Sequence, residues 1–257
     1  MSSSPPPTGA QRILDVGGWF KPNPRATHVV DLMPWETRGA KLNLAPLPGE
    51  QFSRDTWFQA DFLDPDLRLP FEDSSFDLVL CGHTIEDLTA PEPLLREFQR
   101  VAVASSIECP SRLTEQTVGL RDRATSEAGH PHHHWIVEVA DDTLCLFAKS
   151  DSDLRRDATT VPLVFRERLT RGNPAPNFVT YCWSGKLKWR FVAGVECEQR
   201  ARQFVAGLNI PRADRVRDRL LRCARRLRNH ARGRSREDFS WWTDIREVSR
   251  PYSRIKI

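Results

Sequence analysis

The sequence predicts an α/β fold, a doubly wound and mostly parallel sheet extended on its C-terminal side by a β-rich addition and a basic helix. Three observations carry this reading. Short apolar runs ending in turn residues recur over the first 110 positions, and a segment of period 3.6 beginning at Pro91 separates two of them. After residue 130 the texture changes to short strands around polar turns, followed by an Arg-rich helical segment.

Taken in order, Arg12-Ile-Leu-Asp-Val-Gly-Gly18 is a short buried strand that ends in a glycine turn, and Thr27-His-Val-Val-Asp31 is a second strand. Leu32 to Gln51, rich in Pro, Gly and polar residues, is loop with room for one helical turn. Thr56 to Ala60 is a weak third strand. Phe76-Asp-Leu-Val-Leu-Cys81 is a strong fourth, its apolar run suited to the middle of a sheet. From Pro91, Leu94, Leu95, Phe98 and Val101 fall on one side of a helix, with Glu92, Arg96, Glu97 and Arg100 on the other, so the helix should cover a sheet. Ser106-Ile-Glu-Cys-Pro110 is the fifth strand. In such a sheet ligands bind at the carboxyl ends of the strands.

Further on, Trp135 to Val139 and Thr143 to Ala148 flank Ala140-Asp-Asp142 as a hairpin. Phe178 to Trp183 and Lys188 to Val192 flank Ser184-Gly-Lys186 as a second. Pro211 to Ala231 is helical, with Val216, Leu220, Cys223, Leu227 and Ala231 recurring at three to four residues among arginines. No internal repeat is present. This gives a disordered leader over residues 1–11, a core over 12–150 and an extension over 151–257, packed on the core and shaping part of its site.

With 257 residues the chain can bury a full core. It contains no apolar run long enough to span a bilayer. The Ser/Pro-rich stretch Met1 to Thr8 lacks the basic start and apolar stretch of a secretory signal, so the expected compartment is cytoplasmic. Six cysteines stand singly, without a CxxC pair, and read as reduced, mostly buried thiols; no metal is expected. The net charge of +4 is local in origin, because thirteen Arg and two Asp lie between Arg200 and Arg236 and the rest of the chain is net negative.

The first chemical motif is Asp15-Val-Gly-Gly18, where backbone unshielded by a Cβ can approach a ligand. Asp31 closes the next strand, where a carboxylate can accept from two ribose hydroxyls; a turn or cap role is the alternative. Three further runs follow: Ala60-Asp61-Phe62, Leu69-Pro-Phe-Glu-Asp-Ser-Ser-Phe-Asp-Leu-Val-Leu80, and Gly82-His-Thr-Ile-Glu-Asp-Leu88 leading into Leu94-Leu-Arg-Glu-Phe-Gln-Arg-Val101. Together these strongly resemble the class I S-adenosylmethionine-dependent methyltransferases, in their small-molecule, type 11-like branch, over roughly residues 12 to 110. The resemblance implies a Rossmann-like fold, S-adenosyl-L-methionine as cofactor, and transferase activity. It also implies that Gly17 and Gly18 lie under the methionine portion and that Asp31 holds the ribose. Asp61 and Phe62 would flank the adenine, and Cys81, Gly82 and His83 would line the floor near the sulfonium. Asp15 and Leu32 complete the implied cofactor-binding set.

One departure stands out. The family's first motif usually has three glycines and opens a long helix whose N-terminus helps to bind the cofactor carboxylate. Here Trp19-Phe-Lys-Pro-Asn-Pro24 follows, and two prolines in so short a connection leave at most a rudimentary helix. Lys21 or Arg25 would then replace it as the carboxylate's partner.

The run His130-Pro-His-His-His-Trp135 is the second cluster. On a strand His132 and His134 share one face, which suits a general base, two metal ligands or a hydrogen-bonded strand edge. His83, His132 and His134 are the catalytic candidates. Glu108 and Arg112 lie within reach of an acceptor or form a structural ion pair. Trp183, Trp189 and Trp241-Trp242 wall an acceptor pocket or pack in the core. The basic segment Arg212 to Arg236 is a helix docked through its apolar stripe, a contact for an anionic membrane surface, or a nucleic-acid contact; no aromatic residue interrupts the Arg run, which speaks against RNA stacking. The expected function is methyl transfer to an oxygen or nitrogen of a small molecule or saccharide. The alternatives are a catalytically silent scaffold module and an RNA or protein methyltransferase.

Overall fold

The apolar runs become strands within a residue or two of their expected bounds in the computed structural model, which describes residues 11–38 and 47–231. The leader up to residue 10, Trp241-Trp242 and the end of the basic run at Arg232 to Arg236 lie outside the described residues. In chain order come β1 (Ile13–Val16), β2 (His28–Asp31), β3 (Trp57–Gln59), β4 (Leu78–Gly82), α1 (Glu92–Val101), β5 (Ala104–Pro110) and α2 (Arg112–Glu115). There follow β6 (Trp135–Ala140), β7 (Thr143–Ala148), α3 (Leu163–Leu169), β8 (Phe178–Ser184), β9 (Trp189–Val192), α4 (Val195–Gly207) and α5 (Arg212–Ala231).

The described chain divides into two compact units. The first contains residues 11–38, 47–108 and 180–187 and is built on a six-stranded sheet of order β3-β2-β1-β4-β5-β8. β1 pairs in parallel with β2 and β4, β2 with β3, and β4 with β5. The order therefore reverses between β1 and β4, the switch point at which Rossmann-like sheets open a crevice. Leu14, Val16, Val29, Val30 and Val79 are buried in this sheet, and α1 buries Leu94, Leu95, Phe98 and Val101 completely, as its periodicity predicts. Each such side chain contributes about 1.5–3 kcal/mol. A short helical turn, Trp35–Thr37, follows β2. Beside it the Arg38 guanidinium lies about 5 Å from the ring centres of Trp35 and Phe52 and pairs with Glu50 through two 2.8 Å hydrogen bonds.

The second unit, residues 109–179 and 188–231, holds a three-stranded sheet of order β6-β7-β9. The first expected hairpin is present: β6 and β7 are antiparallel, and Ala140 pairs with Thr143 around Asp141-Asp142, both at positive φ. The second is not. β8 joins the six-stranded sheet, whereas β9 runs parallel to β7, with Leu144 opposite Trp189. The intervening turn is held instead by Gln99 of α1, which donates to the Gly185 carbonyl (2.8 Å) and accepts from the Leu187 amide (2.5 Å).

The docking face of α5 also differs from expectation. Val216, Leu220 and Leu227 are 54, 65 and 72% exposed, while Asp214 and Asp218 are buried. Arg168 of α3 pairs with Asp214 at 2.6 Å, Arg222 pairs with Asp218, and Arg215 and Arg226 donate to the carbonyls of Thr160 and Ala124. The Arg222 pair lies within α5, but Asp218 also accepts from the Val164 amide of α3 at 3.4 Å, so two acids one turn apart provide polar anchors that the apolar stripe lacks, and they turn the helix over.

Candidate cofactor site

β1 delivers the chain to Gly17 at φ +77°, a conformation that favours glycine, and the Gly17 amide donates to the Val30 carbonyl at 2.9 Å. A Cβ on Gly17 would run into the Thr84 side chain, and one on Gly18 would lie 2.9 Å from the Asp15 carboxyl carbon. Both glycines therefore let the turn after β1 pack tightly against its surroundings. Among the described residues no helix connects β1 to β2, as the two prolines predict. The loop is pinned by two buried acids instead. Asp15 accepts from the Asn23 amide at 2.6 Å, and Asp31 accepts from the amides of Trp19 at 2.9 Å and Met33 at 2.8 Å.

Burial drives the titration of both acids. It pushes Asp15 up to about 7, against the Asn23 amide and with the added repulsion of Asp31. It pushes Asp31 up to about 6, against the amides of Met33, Trp19 and Leu32. The folded chain thus keeps protons that an unfolded chain releases near pH 4. The contribution of the two acids to stability is fully present below that pH and is lost as pH rises through about 6 and 7. Urea midpoints should fall between pH 5 and pH 8, and Asp15→Asn should flatten the fall; an unchanged slope in that variant would exclude Asp15 as a source.

The remaining implied residues occupy the carboxyl ends of the neighbouring strands. Leu32 is half-buried; Asp61 is exposed and accepts from the Leu63 amide at 2.9 Å; the Phe62 ring is buried. At the end of β4 the Cys81 thiol is buried and pushed up, by burial first and then by the charge of Glu86. Gly82 is exposed, with nothing within 4 Å of where a Cβ would stand. His83 follows at φ +54°, a strained conformation for this residue type. Its Nδ1 lies 3.5 Å from Glu86 Oε1 and its Nε2 lies 3.6 Å from Glu108 Oε1. Glu86, by hydrogen bonding and charge, holds His83 above the usual imidazole value, with Glu108 adding and burial opposing. Glu86, 1% exposed, is the residue that sequence reasoning missed, although its spacing of three from His83 was a readable signal.

In the second unit the strand starts at Trp135, so the histidines lie on the turn before it. His130, His132 and His133 gather there, with ring centres 4.4 to 5.7 Å apart, while His134 is exposed. Burial and then neighbouring positive charge lower His132 to about 2, so at neutral pH it is an uncharged, weakly basic acceptor. Arg112 is buried and pairs with Glu138. Trp183 is buried and Trp189 half-buried.

The donor set at the switch point fits S-adenosylmethionine. A carboxylate closes β2, a glycine ends β1, and Gly82 leaves open space after β4, which together suit ribose hydroxyls and an aminoacyl chain. Residues 28–105 match the family model for the methyltransferase domain. No curated protein matches the chain. Among solved structures, the chain is similar to a S-adenosylmethionine-dependent methyltransferase from Aquifex aeolicus, with 17% identity, 40% of this chain and 58% of that one covered, and a TM-score of 0.26. It is also similar to one from Thermotoga maritima, with 17% identity, coverage of 43% and 48%, and a TM-score of 0.30. A third, from Mesorhizobium loti, has 15% identity, coverage of 78% and 75%, and a TM-score of 0.32. The chain thus spans about half the length of the first two. Over residues 28–105 the chain is thus similar to the methyltransferase domain family.

Proposed function

We propose that the protein transfers a methyl group from S-adenosylmethionine to an oxygen or nitrogen of a small molecule or saccharide, with the six-stranded unit holding the cofactor. The observation that carries this reading is the placement of Asp31, Gly17 and His83 at the carboxyl ends of β2, β1 and β4, at the reversal of strand order. When bound, the cofactor supplies an activated methyl on a positively charged sulfur. Asp31 would orient the ribose, and Asp61 and Phe62 the adenine. His83, backed by Glu86, would hold or accept the acceptor's proton. The cysteines stand singly in the sequence, without a CxxC pair, which supports a reducing compartment, the cytoplasm.

A silent scaffold module is the second reading, favoured by the loop after β1, whose Trp19 and Asn23 amides are already spent on Asp31 and Asp15. Calorimetry with the demethylated cofactor separates the two. The methyltransferase binds it, and transfers radiolabelled methyl within a panel of small hydroxyl and amine acceptors; binding of neither cofactor form would establish the silent reading. In the same titration the double variant Lys21→Ala, Arg25→Ala, which removes two exposed cations from the helix-less loop, should bind roughly tenfold more weakly. Wild-type affinity would remove both from the site.

A further inference from the structure

The histidine turn of the second unit is unused by the methyl-transfer reading. We propose that His130, His132 and His133 form a site for a divalent transition ion of the zinc class. One ligand-capable atom from each lies within 4.8 Å of the other two. Nitrogens around tetrahedral zinc, at bond lengths of about 2.0–2.1 Å, sit roughly 3.4 Å apart. Closing the difference takes modest ring rotations, and His130 and His132 are only half-buried, which leaves them room to turn.

The second observation is the group behind the cluster. Glu115, at the end of α2 and 1% exposed, accepts from His133 Nδ1 at 2.9 Å. A carboxylate on one ring nitrogen fixes the tautomer and turns the other nitrogen's lone pair outward, the usual outer support of a metal-bound histidine. Lys149 Nζ, 2.5 Å from the other Glu115 oxygen and 2.6 Å from the His130 carbonyl, balances the carboxylate and ties the turn down. Gly129, at φ +60°, opens the turn where a Cβ would press on Glu115 at about 2.5 Å. Three imidazoles with no charged ligand suit zinc, copper(II) or nickel(II) better than magnesium or calcium, and leave a fourth position for water. A strand would have paired His132 with His134; the turn brings His130 and His133 to His132 instead and leaves His134 outside.

The test uses the full chain without a polyhistidine tag, stripped with a chelator and titrated with zinc chloride by calorimetry, with cobalt(II) absorption as a second readout. One ion should bind per chain, and cobalt should give the visible bands of a low-coordinate site. His130→Ala and His132→Ala should each weaken binding at least tenfold, Glu115→Gln by about tenfold, and His134→Ala not at all. Wild-type affinity in the first two variants would overturn the site, as would equal loss in His134→Ala. Should a variant misfold, the wild-type chain still decides, since absence of stoichiometric zinc binding or of the cobalt bands rejects the proposal.

Discussion

Asp31→Ala should both destabilise the fold and abolish cofactor binding, the first effect through contacts made without any ligand. The Asp31 carboxylate is 7% exposed, and each of its oxygens accepts one buried amide, from Trp19 and from Met33. Truncation leaves both donors without an acceptor, at about 1–3 kcal/mol each. A loss of about 2–6 kcal/mol is a large part of a typical stability of about 5–15 kcal/mol, and should lower the melting temperature on the order of 10 °C. Asp31→Asn retains one carbonyl acceptor and should lose about half as much. That variant also isolates the functional role. At a temperature where it remains folded, it should bind the demethylated cofactor at least tenfold more weakly, because its NH2 group cannot accept from a ribose hydroxyl. Wild-type affinity in Asp31→Asn would leave Asp31 as a cap for two turns and remove it from the ribose.

The parallel sheet was legible because four of its strands are apolar runs stopped by turn residues, and such runs report burial directly. The stripe of α1 was legible for the same reason, and the prolines after Gly18 correctly forbade a helix. Partner choice was not legible. The segments around Ser184-Gly-Lys186 are both strands, but alternation along a chain says nothing about which neighbour completes the ladder, and here each enters a different sheet. The apolar stripe of α5 misled because helical periodicity identifies a face without saying whether a competing polar face has anchors; Asp214 had one in Arg168 and Asp218 one in the Val164 amide, both on α3. At the candidate site, residue types and spacing picked out Asp31 and His83. The turn of Asp31 toward loop amides, and the burial of Glu86 behind His83, depend on three-dimensional packing that no local pattern encodes.

Glu97 shows how the polar side of a helix can hold a motif in place, and Glu97→Ala should be among the most damaging substitutions outside the cofactor site. Amphipathic spacing puts Glu97 opposite the apolar stripe, yet it is 5% exposed. Its Oε2 accepts from the Leu69 amide at 2.7 Å and from Arg100 at 2.6 Å, and its Oε1 accepts from Arg100 Nε at 2.7 Å. The fixed guanidinium then donates to the Phe71 carbonyl at 2.7 Å, the Leu69 carbonyl at 3.1 Å and Asp73 at 3.0 Å. Leu69 to Asp73 opens the most family-specific run of the sequence, and α1 thus grips its backbone at both donor and acceptor groups before the chain enters β4. Breaking one half of a buried ion pair costs about 3–5 kcal/mol. Glu97→Ala should lose that much, with hydrogen exchange accelerating over residues 69–76 ahead of the rest of the sheet. Arg100→Lys should be nearly as harmful, because an ammonium cannot serve the carboxylate and two carbonyls in one plane. A Glu97→Ala chain melting within about 1 °C of wild type would mean that the segment holds its shape without α1, leaving Phe71 and Phe76, in edge contact at 4.8 Å, to fix it.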